Sequence, residues 1–230
     1  MNRVNQQIGF ILKSQSFKET SSIHQVFTRD YGVISIISKG SRVKNSKYGS
    51  LLQPFKSLLL SWVGKSELKT LTGVDEHLQI QQLKGTSLYC GFYVNELILN
   101  LIHKHDAHLS LFNSYEQAIR KLSEVDQLEA CLREFEKLLF DNIGYGLSLE
   151  YDADSHEPIQ AGEQYRYIPG HGAVRYNSNS QDAILGSTLI NLRLNQLNGK
   201  TELMQAKHMM RRLIDTQLDG KILKSRDLFV

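Results

Sequence analysis

The 230-residue chain has two cysteines and three prolines, and each scarcity removes a class of answer. Cys90 and Cys131 are too few for a disulfide framework or a four-cysteine zinc site. Both fall in apolar helical patterns, which reads as buried free thiols. No apolar run approaches the roughly 18 residues of a membrane helix. The opening "MNRVNQQIGFILKSQSF" alternates where a signal peptide would show an apolar block. These absences place the chain in the cytoplasm, with no membrane partner. Acid is missing locally: from Tyr31 to Ser66 there are six Lys or Arg residues and no Asp or Glu.

What is present is a globular composition, 41% hydrophobic, long enough for one large domain or two to three small ones. The net charge of +3 conceals segments of opposite sign. Residues 1–80 hold 11 Lys/Arg against 5 Asp/Glu (net +6), residues 81–160 hold 6 against 13 (net −7), and residues 161–230 hold 10 against 6 (net +4). A basic surface can therefore act locally while the whole stays near neutral. Its densest part is "SKGSRVKNSKYGS", residues 38–50, with Lys39, Arg42, Lys44 and Lys47. Such a loop meets an anion, or it only solubilises the fold.

Period-2 runs predict five strands, at about residues 5–15, 21–28, 32–38, 53–63 and 66–75, with the turn "RDYG" joining the second and third through Gly32. Both faces of "VISIIS" are largely apolar, which suits a curled sheet, and a five-stranded barrel of the oligonucleotide-binding type is the obvious candidate. From Thr86 the period becomes helical. "TSLYCGFYVNELILNLIHKH" is apolar almost all round, as for a helix at the centre of a bundle. "SLFNSYEQAIRKL" is a second helix. "QLEACLREFEKLLFDNIGYG" is a third, with Leu128, Leu132, Phe135 and Leu139 at helical spacing and an end at Gly144 or Gly146. A polar interval from about Tyr151 to Ser180 holds all but one of the prolines and reads as a loop or small irregular module. Helical patterns at about 181–196 and 201–218 close the chain, the second opening on Thr201 as N-cap with Leu203, Met210, Leu213 and Ile214 on one face. The fold class is α+β. Its expected layout is a barrel at 1–80, a helical domain at 81–150 and 181–230, and the irregular module at 151–180 between them.

The ordered series "KETSSIHQVFTRDYG", "SKGSRVKNSKYGSLLQPF", "ELKTL", "LYCGFYVNELI", "LFNSYEQAIRKL", "LREFEKLLFDNIGYGLSLEYDADSHEPI", "YRYIPGHG" and "LDGKILKSRDLF" resembles the RecO family of bacterial recombination mediators over essentially the entire chain. The resemblance implies an oligonucleotide-binding barrel followed by a helical domain interrupted by a small module, which in some members carries a four-cysteine zinc site. Residues 151–180 contain no cysteine, so no metal or other cofactor is implied. For function it implies a non-enzymatic helper of repair that binds single- and double-stranded DNA and anneals complementary strands. It also implies attachment to the C-terminal tail of single-stranded DNA-binding protein (SSB) and, with RecR, help in loading RecA.

Lys and Arg neutralise phosphates without reading sequence, and the displaced counterions supply much of the affinity. The candidate DNA-binding residues are accordingly Lys39, Arg42, Lys44, Lys47 and Tyr48, with Lys13 and Lys56 as extensions of the same surface. Trp62 and Phe55 stack on bases or fill the barrel. For an acidic, hydrophobic-ended SSB tail the candidates are Arg133, inside the matched motif "LREFE", and the basic group Lys207, Arg211, Lys224 and Arg226. The plainer alternatives are an Arg133 pair with Glu129 at i, i+4, and cations that merely suit a last helical turn. His103, His105 and His108 match no common metal spacing, "PGHG" at 169–172 reads as a turn, and Glu124, Asp126 and Glu129 read as acids at a helix start. The basic half has neither clustered carboxylates nor a nucleophile with a base, so no catalytic residue is assigned. An RNA-binding accessory protein built on the same barrel is the competing reading.

Overall fold

The computed structural model describes residues 3–46, 48–124, 127–178 and 180–229. The chain forms two compact units, one of residues 1–125 with 223–230, the other of residues 126–222.

Unit 1 begins with five strands, β1 (Arg3–Phe17), β2 (Ser21–Thr28), β3 (Gly32–Ser38), β4 (Ser57–Val63) and β5 (Leu68–Leu78). They close into the expected five-stranded barrel, in the order β1-β2-β3-β5-β4, with β3 and β5 parallel and the other neighbours antiparallel. The long β1 serves both sides. Its first half pairs with β4 and its second with β2, and its register shifts between Val4 and Gln7 and between Ile11 and Lys13. Such bulges bend a strand enough to let it change partners in a small barrel. Ile11, Val26, Ile34, Ile36, Leu58, Leu60 and Trp62 fill the interior. The predicted start of the fourth strand, residues 53–56, falls outside β4. Pro54 cannot donate a ladder hydrogen bond and makes only an isolated bridge to Ile11.

The barrel's outer face is apolar where helices cover it. Helices α1 (Thr86–Leu101) and α2 (Leu109–Glu124) belong to unit 1. Phe10 and Phe27, pointing out of β1 and β2, meet Phe112 and Tyr115 of α2 at ring-centroid distances of 5.1–5.8 Å. Asn95 of α1 binds these layers together: its Nδ2 donates to Leu12 O at 2.9 Å and its Oδ1 accepts from the Tyr115 hydroxyl at 2.7 Å. Helix α1 is therefore apolar all round because it lies against β1 and α2, and against a closing 3₁₀ helix (Lys224–Phe229), not at the centre of a helical bundle. The β2–β3 turn is clamped as well. The His105 amide donates to Val33 O at 3.1 Å, and a Cβ on Gly32 would lie 2.2 Å from Asp106 O.

Unit 2 contains α3 (Leu128–Asn142), strands β6 (Gln164–Ile168), β7 (Gly172–Arg175) and β8 (Ile184–Leu185), α4 (Gly186–Arg193) and α5 (Lys200–Leu218). The interval 151–180 carries two of the three strands of an antiparallel sheet ordered β7-β6-β8. Its organiser is Asp152, 2% exposed. One carboxylate oxygen accepts the amides of Asp154 and Ser155 (2.9 Å each) and the other that of Arg175 (2.8 Å). Burial alone would raise this carboxyl's pKa, but the Ser155, Asp154 and Arg175 amides outweigh it and hold the group below its usual value. The pattern expected as a helix at 181–196 is helical only from Gly186, whose Cβ position is occupied by Gln160 O at 1.9 Å. Helix α5 is capped by Gly199, without a side-chain bond, and not by Thr201.

Candidate nucleic-acid interface

The basic segment after β3 is folded onto the barrel. Gly40 takes φ +67°, and the chain then turns repeatedly, with Ser46 N donating to Val43 O at 2.9 Å and Leu52 N to Tyr48 O at 3.1 Å. Tyr48, Leu51 and Leu52 pack against the barrel core, so the apolar residues fix the segment while the cations face water. Lys39, Arg42 and Lys44 are exposed; Lys47 lies outside the described residues. Tyr48 is half-buried, its hydroxyl donating to Thr72 O at 3.4 Å. Lys56 closes the segment by donating from Nζ to Ser50 O at 3.1 Å. Phe55 and Trp62 are 8% and 2% exposed, which makes them core residues and not stacking surfaces.

The β1–β2 turn is drawn into the same surface. The Arg42 amide donates to Thr20 O at 3.0 Å and its guanidinium to Lys18 O at 3.3 Å. Lys18, 24 residues from Arg42, was not identified in the sequence. Its only local signal is a cation beside Phe17 at a hairpin end, where its ammonium stands 5.6 Å from the ring centroid. Lys13 faces outward from β1, because strand alternation opposes it to Ile11 across the bulge.

Beneath this surface runs a chain of side chains. The Ser14 hydroxyl lies 2.7 Å from His24 Nδ1, His24 Nε2 lies 2.8 Å from Ser38 Oγ, and Ser38 Oγ donates to Ser41 Oγ at 2.7 Å. One tautomer satisfies the series: Nε2 carries the proton toward Ser38, and Nδ1 accepts from Ser14. The network joins β1, β2 and β3 to the first turn of the basic segment. Burial lowers the His24 pKa to about 4, so the ring is neutral at pH 7.

The ion pairs of unit 1 among the described residues are Arg29–Asp30, Lys104–Glu67, His108–Asp106 and Arg120–Glu116. None involves Lys13, Lys18, Lys39, Arg42, Lys44 or Lys56. In unit 2 five Lys or Arg side chains are matched among the described residues, in Arg133–Glu136, Arg175–Glu157, Arg193–Glu150, Lys207–Glu129 and Arg212–Asp182, and His171 and His208 face Asp154 and Asp182.

The residues expected to receive an acidic tail are divided between the units. Arg133, Lys207 and Arg211 belong to unit 2, Lys224 and Arg226 to unit 1. Arg133 is 4% exposed and pairs with Glu136, not with Glu129, so its guanidinium is an internal ion pair and not a cation at a rim. Lys207 holds Glu129 at 2.6 Å, Arg211 and Lys224 are exposed, and Arg226 is half-buried.

Among the described residues no three His, Cys, Asp or Glu side chains gather to hold a metal, and no helix is long and apolar enough to cross a membrane. His103 and His105 are exposed in the α1–α2 connection, and His108 pairs with Asp106 at 3.0 Å. "PGHG" is the β6–β7 turn, where His171 meets Asp154 at 2.8 Å. Glu124 ends α2 and Glu129 lies in the first turn of α3, so they do not share a helix start; Asp126 lies outside the described residues.

Comparison with known proteins adds an independent finding. Residues 1–77 match the family model "Recombination protein O N terminal" and residues 82–227 match "Recombination protein O C terminal". The chain is similar to the DNA repair protein RecO of Nitrosococcus oceani, at 39% identity over 228 residues covering 98% of this chain and 93% of that protein. It is also similar to the protein of that name from Methylococcus capsulatus, 37% identical over 228 residues, covering 99% and 94%. A third, from Coxiella burnetii strain RSA 493, is 35% identical over 227 residues and covered to 98% on both sides.

Proposed function

Because the chain belongs to the RecO family, we propose that it is a non-enzymatic mediator of DNA repair and recombination whose barrel holds single- and double-stranded DNA. The observation that carries this reading is the pairing contrast. Cations from the β1–β2 turn and the β3–β4 segment stand on one surface without carboxylate partners among the described residues, whereas five of those in unit 2 are matched. Phosphates complete such a surface and release their counterions on doing so. Annealing then needs only enough neutralisation for two polyanions to approach, and no catalytic group.

Family membership also supports an SSB tail, RecR and, through them, RecA as partners. For the tail, Arg211 and Lys207 on α5 are the accessible cations of the expected group in unit 2. A peptide carboxylate there would compete with Glu129 for Lys207, while Arg133 holds α3 from within. Lys224 and Arg226 belong to the other unit and lend this site less support.

The test is titration of labelled single-stranded DNA at several salt concentrations with a variant carrying Lys18→Ala, Lys39→Ala, Arg42→Ala, Lys44→Ala and Lys47→Ala. Affinity should fall, and the log–log salt slope should flatten by roughly 0.7 for each phosphate that is no longer neutralised. An unchanged slope would mean that the segment only solubilises the barrel. RNA of equal length, run in parallel, tests the competing reading, which a clear preference for RNA would support. Annealing should persist in excess chelator, and its loss there would refute the metal-free mechanism.

A further inference from the structure

The exposed aromatic rings of α1 and the closing 3₁₀ helix have no role in the interface described above. Tyr89 and Phe92 are 37% and 36% exposed and lie three residues apart on one side of α1, and Phe229 is 42% exposed. Phe229 meets Tyr89 edge-on at 6.1 Å between centroids, and Phe92 is steadied by the buried Phe55 at 5.3 Å. The rings thus form a supported row on a unit where Phe10, Phe27, Phe112 and Tyr115 are enclosed and the exposed Tyr31 stands edge-on against Trp62 of the barrel.

The charge around the row has one predominant sign. Lys56 follows Phe55 in the chain, Lys84 precedes the first turn of α1, and Lys224 opens the 3₁₀ helix. None of the three makes an ion pair with a described residue. From His77 to Asn95 the sequence contains no acid. The one carboxylate of α1, Glu96, is turned to the backbone, accepting the amides of Lys224 (3.0 Å) and Ser225 (2.8 Å). Asp227 is the exposed counter-charge on the 3₁₀ helix. Lys56 also ties the row to the basic segment, since its ammonium bonds Ser50 O.

We propose that Tyr89, Phe92 and Phe229 form a base-stacking platform that continues the path of a single strand from the basic segment over Lys56 onto α1. Every base has a π-face, so exposed rings hold unpaired bases without reading sequence, and flanking cations meet the phosphates. A duplex, whose bases are already stacked, gains nothing from the rings. The inference rests on the barrel being the strand-binding element, and the two readings fail differently.

The experiment compares wild type, the five-fold barrel variant above, and Tyr89→Leu/Phe92→Leu/Phe229→Leu, which keeps apolar bulk but removes the rings. Each is titrated with an oligonucleotide, an abasic strand of equal length and a duplex. The leucine variant should bind the base-bearing strand at least about tenfold more weakly with an unchanged salt slope. It should lose the wild type's preference over the abasic strand and bind duplex as before. If its affinity and base preference match wild type while the barrel variant is weakened, the platform is refuted and the barrel reading stands. If the barrel variant also matches wild type, the underlying reading has failed. Equal loss for all three ligands refutes the platform, as does a change in sedimenting mass without a change in strand affinity, which would assign the face to a second copy of this chain. Should the triple variant melt early, Tyr89→Leu/Phe229→Leu, which spares Phe92, is scored by the same criteria.

Discussion

The His24 network makes barrel stability dependent on pH in a window that opens above the usual carboxylate range. His24 is 3% exposed, and both ring nitrogens bond serine hydroxyls. In the unfolded chain the ring takes up a proton near its ordinary value of 6.5, whereas in the folded barrel it does so only at about 4. Between these values the unfolded state binds more protons, so stability is complete above the higher value and falls as the pH drops toward the lower one. The two values imply a loss of about 2 kcal/mol at pH 5 and ~3 kcal/mol at pH 4. Trp62, the single tryptophan, lies in the barrel core and reports its unfolding. Urea titrations followed by its fluorescence at pH 7 and pH 5 should therefore show a large destabilisation in wild type. His24→Gln, which keeps a donor and an acceptor but cannot titrate, should lose much less over the same interval. If variant and wild type lose equal stability between pH 7 and pH 5, protonation of this ring is not the cause and the argument from its burial is wrong.

Three further outcomes follow from single polar groups that organise their surroundings. Asp152→Ala removes the acceptor of three amides and should cost about 2–4 kcal/mol, read as faster hydrogen exchange at the Ser155 and Arg175 amides. Because the folded Asp152 pKa is depressed, the wild-type contribution is present above the unfolded carboxyl value and should disappear as the pH falls through the lower folded one. Lys137 donates to Leu192 O (3.0 Å), Arg193 O (2.7 Å) and Asn195 Oδ1 (2.6 Å) at the end of α4. Lys137→Met should lower stability by about 1–2 kcal/mol in thermal melts. Glu96→Ala leaves the Lys224 and Ser225 amides without their acceptor and should release the 3₁₀ helix, detected as early proteolytic cleavage near residue 224.

The strands β2 and β3 fall at their expected residues because alternation and the Gly32 turn are local signals. Helices α2 and α3 match for the same reason, their apolar residues recurring at the helical period. The departures occur where a distant atom decides. Ile184 and Leu185 pair with β6 as strand β8, so α4 begins only at Gly186, where Gln160 O occupies the place of a side chain, and nothing near residue 186 in sequence announces either contact. Arg133 has acids at i−4 and i+3, and spacing does not choose between them. Lys207, 78 residues from Glu129, takes that carboxylate, and Arg133 is enclosed with Glu136. The motif "LREFE" thus holds a residue enclosed in the fold, and its burial could not be read from the motif. The basic segment was legible as charge. Its attachment through Tyr48, Leu51 and Leu52 was not, since those residues also read as loop.

The same contrast explains how a chain of net charge +3 can offer a surface to a polyanion. A surface ion pair contributes at most about 1 kcal/mol to stability, so the exposed pairs of unit 2 do little for the fold. They do cancel part of its external field. Screening at physiological salt limits each charge to about 8 Å, and a phosphate therefore responds to cations gathered within that reach, not to the total. Folding supplies the gathering: the Arg42 guanidinium on Lys18 O draws two segments 24 residues apart into one patch. Glu19, beside Lys18 in the turn, is the near counter-charge, and the stretch from Tyr31 to Ser66 adds no other acid to quench the patch. Under the proposed function, the cations of the β1–β2 turn and the β3–β4 segment, which make no ion pair among the described residues, are the ones left for phosphates to neutralise.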